Sequence, residues 1–318
     1  MDSMQLKLDE IKPQISAREW EIRFLALQKL QGFPPEMVED ILVSALEDNN
    51  DNVRYIAVKS LGYIKSIKSV DALIRSYADP NSLIRLQVIE ALGKIADSSC
   101  LQFLVQFLQD EGNVRVRATI IKEIGRLGSM EYFPVLAIYL NDPDDRVRAN
   151  TIEALDLLGG ASLPELVGPF LADPNNRIKA NAVRSMSRFA PEKSLAVLRE
   201  MLADNNEWMR ASACYVIGEL KENRAAVETV LALDDSHWFV VRNASEALIK
   251  MGNHCLPAVY SRLSDSSVKD EVLMQLLNII GETGNSGSLD KIIPLLKHAN
   301  GEIRNKTEEA IDKIKERS

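Results

Sequence analysis

The stretch DPDDRVRANTIEALDLLG, residues 142–159, decides the fold of this chain, because close variants of it recur along the whole sequence. It holds an acidic turn, a basic residue at Arg148, a short apolar segment and a glycine. In the matching segment 53–61, Val53, Ala57 and Leu61 stand at positions i, i+4 and i+8, which is helical and not strand spacing. The glycine after such a segment is a helix stop signal. Each stretch therefore predicts a turn followed by an amphipathic helix.

The period of this unit is 31 or 32 residues from one end of the chain to the other. Aligned on the apolar residue that closes the helix, which we call the anchor, the units hold Leu30, Leu61, Leu92, Ile124, Leu155, Met186, Ile217, Leu248, Ile280 and Ile311. Eight residues earlier every unit is again apolar, from Ile22 to Ile303. A second helical pattern precedes each turn, as in residues 70–77 and 101–108. The chain is thus predicted to contain ten helix pairs, which must stack to bury their apolar faces.

Units of the form DxxxxVRxxAxxALG resemble HEAT repeats, in particular the short type known from phycobilin-lyase-like proteins. The resemblance covers essentially the whole chain. It implies an all-α fold, a right-handed α–α superhelix (α-solenoid) of about ten 31-residue HEAT-like repeats. We expect a single domain over residues 1–318, with an atypical N-terminal repeat at about 1–33 and a polar C-terminal capping repeat at about 286–318. The family includes scaffolds, transport receptors, lyase subunits and DNA-repair enzymes, so the resemblance leaves function open.

A basic residue and an acid recur at fixed positions around the turn of most units. The basic position holds Arg54, Arg85, Arg117, Arg148 and Arg210, and the acid that stands six residues earlier is represented by Asp48, Asp79, Asp142, Asp173 and Asp204. An arginine just inside a helix start can bridge to the acid of its own or a neighbouring turn. We therefore predict a structural ladder of charged pairs, each contributing about 0–1 kcal/mol if exposed.

Composition and motifs favour a non-catalytic, cytoplasmic protein, and the resemblance to the short bacterial and archaeal type of HEAT repeat implies a prokaryotic one. The chain has 38 basic and 46 acidic residues, a net charge of −8, which argues against a phosphate-binding surface over the whole molecule. Its three cysteines are far apart, and it shows no signal peptide and no apolar run long enough to span a bilayer. The three histidines form no metal-binding pair, and the His-Glu dipeptides of HEAT-type deoxyhypusine hydroxylases are absent. We predict no catalytic residues, no metal site and no cofactor.

One candidate binding surface is a stripe on the second helices, at positions five and nine after the basic residue. Together with the position two residues after it, as in Gln87 and Asn150, these positions are expected to point away from the core and to line a concave face. The partner-binding candidates are Lys59, Tyr63, Lys94, Lys122, Arg126, Glu153, Arg184, Arg188, Tyr215, Glu219 and Glu246. Units two to six lean basic and units seven to nine lean acidic. Such a mixed stripe favours a protein partner over nucleic acid.

A second candidate surface is an aromatic edge formed by Trp208, Trp238 and Phe239. These residues stand in or beside helix starts, where other units carry polar or charged residues. Clustered, solvent-facing tryptophans mark interfaces. Packing of these rings at an irregular helix start is the alternative interpretation.

These features predict a scaffold or adaptor that binds a protein through the concave stripe, the aromatic edge or both. Two alternatives stay open: a phycobilin-lyase-like enzyme subunit or prosthetic-group chaperone, and a nucleic-acid binder that uses the basic part of the stripe.

Overall fold

The computed structural model describes residues 3–317 and contains α-helices, short 3₁₀ turns and connecting loops, with no strand in that range. No helix within these residues is long and apolar enough to cross a membrane. The helices come in successive pairs, and in most pairs the second helix follows a turn that begins with Asp or Glu. The chain divides into two compact units, residues 1–163 and 164–318. The expectation of a single domain over 1–318 stays a prediction.

The first unit contains five helix pairs. Their bounds are α1 Ser3–Ile15, α2 Trp20–Lys29, α3 Pro35–Ser44, α4 Asp51–Ile64, α5 Val70–Ser76, α6 Ser82–Ile95, α7 Leu101–Asp110, α8 Val114–Leu127, α9 Phe133–Ala137 and α10 Asp145–Leu158. The even-numbered helices are the second helices predicted from the period, and each of them packs on the next: α2 on α4, α4 on α6, α6 on α8 and α8 on α10.

The second unit repeats this arrangement. Its helices are α11 Leu163–Val167, which begins at the boundary residue, α12 Asn176–Met186, α13 Pro191–Leu202, α14 Glu207–Leu220, α15 Ala226–Leu231, α16 Trp238–Met251, α17 Leu256–Leu263, α18 Asp270–Thr283, α19 Leu289–Ile292 and α20 Gly301–Arg317. Helices α12, α14, α16, α18 and α20 again pack one on the next.

The anchor residues form the core of each repeat, because every one of them is buried. The apolar residue eight positions earlier is also buried in repeats two to ten, from Val53 to Ile303. The exception is Ile22 in the atypical first repeat, which is 40% exposed. The 31-residue frame read from the sequence therefore selects the packed side chains, and the predicted all-α fold is confirmed.

Neighbouring second helices approach closely where a glycine of one faces an alanine of the next. A β-carbon placed on Gly62 would lie 2.8 Å from the Cα of Ala91, and one placed on Gly125 would lie 2.5 Å from the Cα of Ala154. Gly218 and Gly281 face Ala247 and Ala310 in the same way, at 2.9 and 3.2 Å. Glycine is used here because a larger residue would push the two backbones apart.

This close approach corrects one expectation from the sequence. Asn150 and Gln87, two residues after the basic position, do not lie on an open face but are buried. The Asn150 amide donates a hydrogen bond of 2.8 Å to the carbonyl oxygen of Ala118 on the preceding second helix. Asn243 does the same toward Ala211, at 3.1 Å. A single-helix projection could not show that the neighbouring helix covers this position.

Candidate functional site

The recurring arginine clamps two successive turns together. Arg54 donates from Nη1 to the carbonyl oxygen of Asp48 in its own turn, at 2.9 Å. Its Nε lies 2.7 Å from the carboxylate of Asp79, which belongs to the turn of the next repeat. Each acid also accepts the backbone N–H two residues on, as Asp48 does from Asn50 at 2.8 Å. The acidic partner of the arginine is thus the neighbouring turn, and we call this arrangement the turn clamp.

The turn clamp joins successive repeats of the first unit and one pair of repeats in the second. The pairs are Arg23–Asp48, Arg54–Asp79, Arg85–Glu111 and Arg117–Asp142 in the first unit and Arg210–Asp235 in the second. Arg148 bonds to the carbonyl oxygen of Asp142 at 2.8 Å and pairs with Asp145. Asp173 accepts the N–H of Asn175, at 2.8 Å.

At the Asp204 turn the expected pairing is absent. Asp204 accepts the N–H of Asn206 at 2.8 Å, and its carbonyl oxygen accepts from Arg210. Within residues 3–317, however, no ion pair joins Lys179 to Asp204. The basic position of that repeat holds a lysine, which lacks the forked guanidinium that reaches both turns elsewhere. The Asp204 turn is therefore held by the bond from the Asn206 N–H to its carboxylate and the bond from Arg210 to its carbonyl oxygen, without the ion pair of a complete turn clamp.

Burial makes the turn clamp a structural element. The Arg23 guanidinium beside Asp48 lowers the pKa of that carboxyl. Burial alone would raise the pKa of Glu111, but hydrogen bonds from Arg85 and Tyr77 outweigh it and leave that pKa lowered. These two carboxylates are thus held charged in the folded state, and each clamp orients the start of one second helix against the next.

In the first unit the predicted stripe places an excess of cations on the second helices. The exposed residues of this part of the stripe are Lys59 and Tyr63 on α4, Lys94 on α6, and Lys122 and Arg126 on α8. Glu153 on α10 is half-buried. Arg126 pairs with Glu123, at 2.8 Å. Lys59 and Lys94 form no ion pair with any residue that the structure describes.

In the second unit the stripe carries more balanced charges. Tyr215, Glu219 and Glu246 are exposed, as is Arg188, whose guanidinium lies 5.4 Å from the Phe189 ring, and Arg184 is half-buried. Lys250 pairs with Glu219 at 2.6 Å and lies 5.7 Å from the Tyr215 ring. Arg242 pairs with Glu246 at 2.8 Å. The acids of this part of the stripe are therefore matched by neighbouring cations.

The three residues of the aromatic edge lie together at the starts of α14 and α16. Trp208 and Phe239 occupy the same repeat position, and their rings stack with centroids 4.4 Å apart and planes at 17°. Trp238 meets Phe239 edge-on, at 6.0 Å and 90°. Trp208 remains 56% exposed and Trp238 71% exposed. Two large aromatic side chains thus face solvent, and both contact the Phe239 ring that lies between the two helix starts.

A turn clamp holds the base of the aromatic edge. The Arg210 guanidinium donates two hydrogen bonds to the Asp235 carboxylate, from Nε at 2.6 Å and from Nη2 at 3.0 Å. His237, whose Nδ1 lies 3.3 Å from Asp235, packs its ring 5.7 Å from that of Phe239. A two-pronged arginine–carboxylate pair is a rigid connection. The aromatic rings are therefore presented on fixed helix starts and not on a long loop.

The cysteines sit in the core. Cys100, Cys214 and Cys255 are buried, and burial raises the pKa of their thiols to about 11, 12 and 11. Such thiols stay protonated and unreactive near neutral pH. Among the side chains that the structure describes, no three His, Cys, Asp or Glu residues are grouped to hold a metal ion.

One residue of interest, Glu123, is missing from the candidates chosen by sequence reasoning. It is buried on α8, one residue before the anchor. That position holds Ser60, Ala91, Ala154, Ser185, Val216, Ala247, Ile279 and Ala310 in units two, three and five to ten. A carboxylate at a position that every other repeat from the second onward fills with an uncharged residue was the signal that could have identified it.

Stacked, repeated helix pairs define the class of α-solenoid repeat proteins. A family model described as HEAT repeats matches residues 8–93, 70–156 and 163–250. These segments cover well over half of the chain, so the chain belongs to the HEAT-repeat family, as its sequence predicted.

Three solved structures are similar to this chain, and the first of them shows the same fold. A chain in a structure of Kap95p with RanGDP has a TM-score of 0.59 at 13% identity, over 98% of this chain and 50% of that chain. An engineered protein has a TM-score of 0.41 at 15% identity, with 97% and 98% of the two chains covered. YibA of E. coli has a TM-score of 0.47 at 22% identity, with 94% and 97% covered. No curated protein matches the sequence.

Proposed function

We propose that this protein is a non-catalytic scaffold or adaptor of a prokaryotic cytoplasm, and that it binds a protein partner through the aromatic edge of Trp208, Trp238 and Phe239. The observation that carries the proposal is the stacking of these rings at two successive helix starts with both tryptophans more than half exposed. HEAT-repeat solenoids commonly serve as protein-interaction scaffolds, because stacked repeats offer an extended surface.

The energetics of aromatic burial support this assignment. Each large aromatic side chain buries roughly 150–250 Å² when covered, and tryptophan is enriched among residues that dominate binding energy. The Arg210–Asp235 pair lies directly beneath, so little conformational entropy is lost when a partner covers the rings. A packing role alone would leave less of the two indole rings in water.

The experiment is affinity capture from the native cell followed by mass spectrometry, with three forms of the protein. The test variant is Trp208→Ser with Trp238→Ser. The matched control is Ile138→Ser with Val227→Ser, which removes two exposed apolar side chains that belong to neither the stripe nor the aromatic edge. We expect a partner that is retained by the wild type and the control and lost from the test variant, with an unchanged melting temperature for both variants.

Three outcomes would overturn the proposal. Unfolding of the tryptophan variant would assign the rings to packing. A bound chromophore in the purified protein would favour the prosthetic-group chaperone. A DNA or RNA complex that dissociates when salt is added would favour nucleic-acid binding.

A further inference from the structure

The contact between α6 and α8 departs from the other contacts between second helices. At Gly62, Gly125, Gly218 and Gly281 a β-carbon would meet the backbone of an alanine on the next helix. At Gly93 it would instead meet the side chain of Glu123, with the Cδ atom at 2.6 Å. The three atoms nearest to that point all belong to this side chain, and none to the backbone of α8. Glu123 thus stands between the two helices as a wedge.

A groove of 570 Å³ opens beside this wedge. It is lined by Lys65, Glu90, Lys94, Lys122, Glu123 and Arg126, from the ends of α4, α6 and α8. Glu123 is 6% exposed and forms the floor of the groove. We call this the wedge groove.

The wedge carboxylate fixes one of the cations in place. The Nε of Arg126 donates to Glu123 at 2.9 Å, and another nitrogen of the same guanidinium donates to the carbonyl oxygen of Gly93 on α6. Lys122 lies 3.8 Å from the Glu123 carboxylate. Arg126 is therefore pre-positioned, and the charge of Glu123 is already matched.

The remaining two cations, Lys65 and Lys94, differ from Arg126 and Lys122 in their surroundings. Lys65 and Lys94 take part in no ion pair with any residue that the structure describes. The groove thus carries four cations against two carboxylates, Glu90 and Glu123. In the second unit the lysines at the position of Lys94 are paired, Lys250 with Glu219 and Lys313 with Glu282, both at 2.6 Å.

The simpler explanation is that cations near helix ends interact favourably with the helix dipoles. It accounts for the presence of Lys94 and Arg126 in the last turns of α6 and α8. It does not account for a buried carboxylate at a position that the other units from the second onward fill with uncharged residues, or for the groove that the carboxylate opens.

We propose that the wedge groove binds the carboxylate side chains of an acidic peptide segment. The cations come from three successive second helices, which at roughly 10 Å per helix spread them over about 20 Å. Aspartates and glutamates along an extended chain, at about 3.3 Å per residue, match that spread, whereas one compact anion does not. This inference rests on the proposed protein-binding function, since it assigns a chemistry to part of the partner.

The first experiment measures fluorescence anisotropy of a fluorescein-labelled octaglutamate peptide at low salt. The test variant is Lys94→Glu with Lys122→Glu. The control is Lys291→Glu with Lys297→Glu, which makes the same charge change at two exposed lysines of the second unit. We expect at least about tenfold weaker binding for the test variant and less than about twofold for the control. Equal loss in both variants, or no binding to the wild type, would overturn the proposal.

The second experiment separates the shape of the groove from its charge. Glu123→Ala introduces the residue that lets α8 approach Gly93, as Ala91 approaches Gly62, so we expect weaker peptide binding. Glu123→Gln keeps the wedge and removes its negative charge, so we expect equal or tighter binding. Tighter binding by the alanine variant would show that charge alone governs the site and would overturn the role of the wedge.

Competition and a tryptophan variant complete the test. Inorganic phosphate or a single-stranded DNA 20-mer that displaces the peptide at a lower concentration than unlabelled octaglutamate would overturn the peptide assignment. Trp208→Ser with Trp238→Ser should leave octaglutamate binding intact. Partner capture that is lost in this variant while octaglutamate binding fails in the wild type would retain the proposed function and reject the wedge groove.

Discussion

The contacts α8–α10 and α6–α8 are built from the same repeat positions but differ in what they leave on the surface. Both are held at the helix starts by a turn clamp, Arg117–Asp142 and Arg85–Glu111. At the helix ends, Gly125 meets the backbone of Ala154, whereas Gly93 meets the side chain of Glu123. The difference teaches that two contacts with the same turn clamp can differ in the side chain that fills the helix ends. A solenoid can therefore open a groove at a chosen repeat without losing its frame.

Loss of the clamp at the opened contact is expected to have the largest effect. Arg85→Ala removes the cation from Glu111, whose side chain is 2% exposed, and leaves the Tyr77 hydroxyl and the Asn113 N–H as donors. We expect the free energy of unfolding to fall by about 2–3 kcal/mol, measured by urea denaturation.

Arg148→Ala is the matched control for that prediction. Its acidic partner Asp145 is an exposed side chain, so a loss of less than about 1 kcal/mol is expected. Equal losses for Arg85→Ala and Arg148→Ala would contradict the importance of carboxylate burial.

The glycine contacts give a direct test of the difference between the two helix ends. Gly125→Ala gains about 1 kcal/mol of helix propensity but forces a β-carbon against the backbone of Ala154, which costs about 2–3 kcal/mol. We expect a net loss of about 1–2 kcal/mol and a lower urea midpoint. Gly93→Ala meets the side chain of Glu123 and not a backbone, so it disturbs the Glu123–Arg126 pair but moves no helix, and a smaller loss than for Gly125→Ala is expected. A larger loss at Gly93 than at Gly125 would show that α6 and α8 are not held apart.

The decrease of stability at acid pH should report the turn clamp between α6 and α8. We expect this effect to be smaller than those of the arginine and glycine substitutions. Because the pKa of Glu111 is lowered in the folded state, its stabilisation is present above its unfolded pKa, about 4.3. It is lost as the pH falls through the folded value. Glu111→Gln should be less stable than the wild type at pH 7, and its melting temperature should fall less steeply between pH 5 and 3. Parallel melting curves over that range would contradict this linkage.

Much of the fold could be read from the period, because a strict repeat decides which side chains share a face. The anchors and the turn arginines were identified in this way, and the structure buries the former and half-buries Arg54 and Arg210. Trp208, Trp238 and Phe239 could also be selected, since they break the repeat at exposed positions. Their proximity follows from equal positions in successive repeats, 31 residues apart.

The position of Asn150 shows where this reasoning stops. A single helix projected onto a wheel places Asn150 opposite the core, yet the neighbouring helix α8 covers it and accepts its hydrogen bond. The same limit applies to the charged ladder. The acid partner could have come from the same or the neighbouring turn, and only the stacked turns place Asp79 at 2.7 Å from Arg54.

The sequence by itself determined the class of this protein, an all-α array of HEAT repeats, and the positions that such an array leaves variable. The tertiary structure decided how far apart two successive helices stand. That distance depends on pairs such as Gly93 and Glu123, which lie 30 residues apart and meet only after stacking. Periodicity describes one helix at a time, whereas the wedge groove and the turn clamp are properties of two.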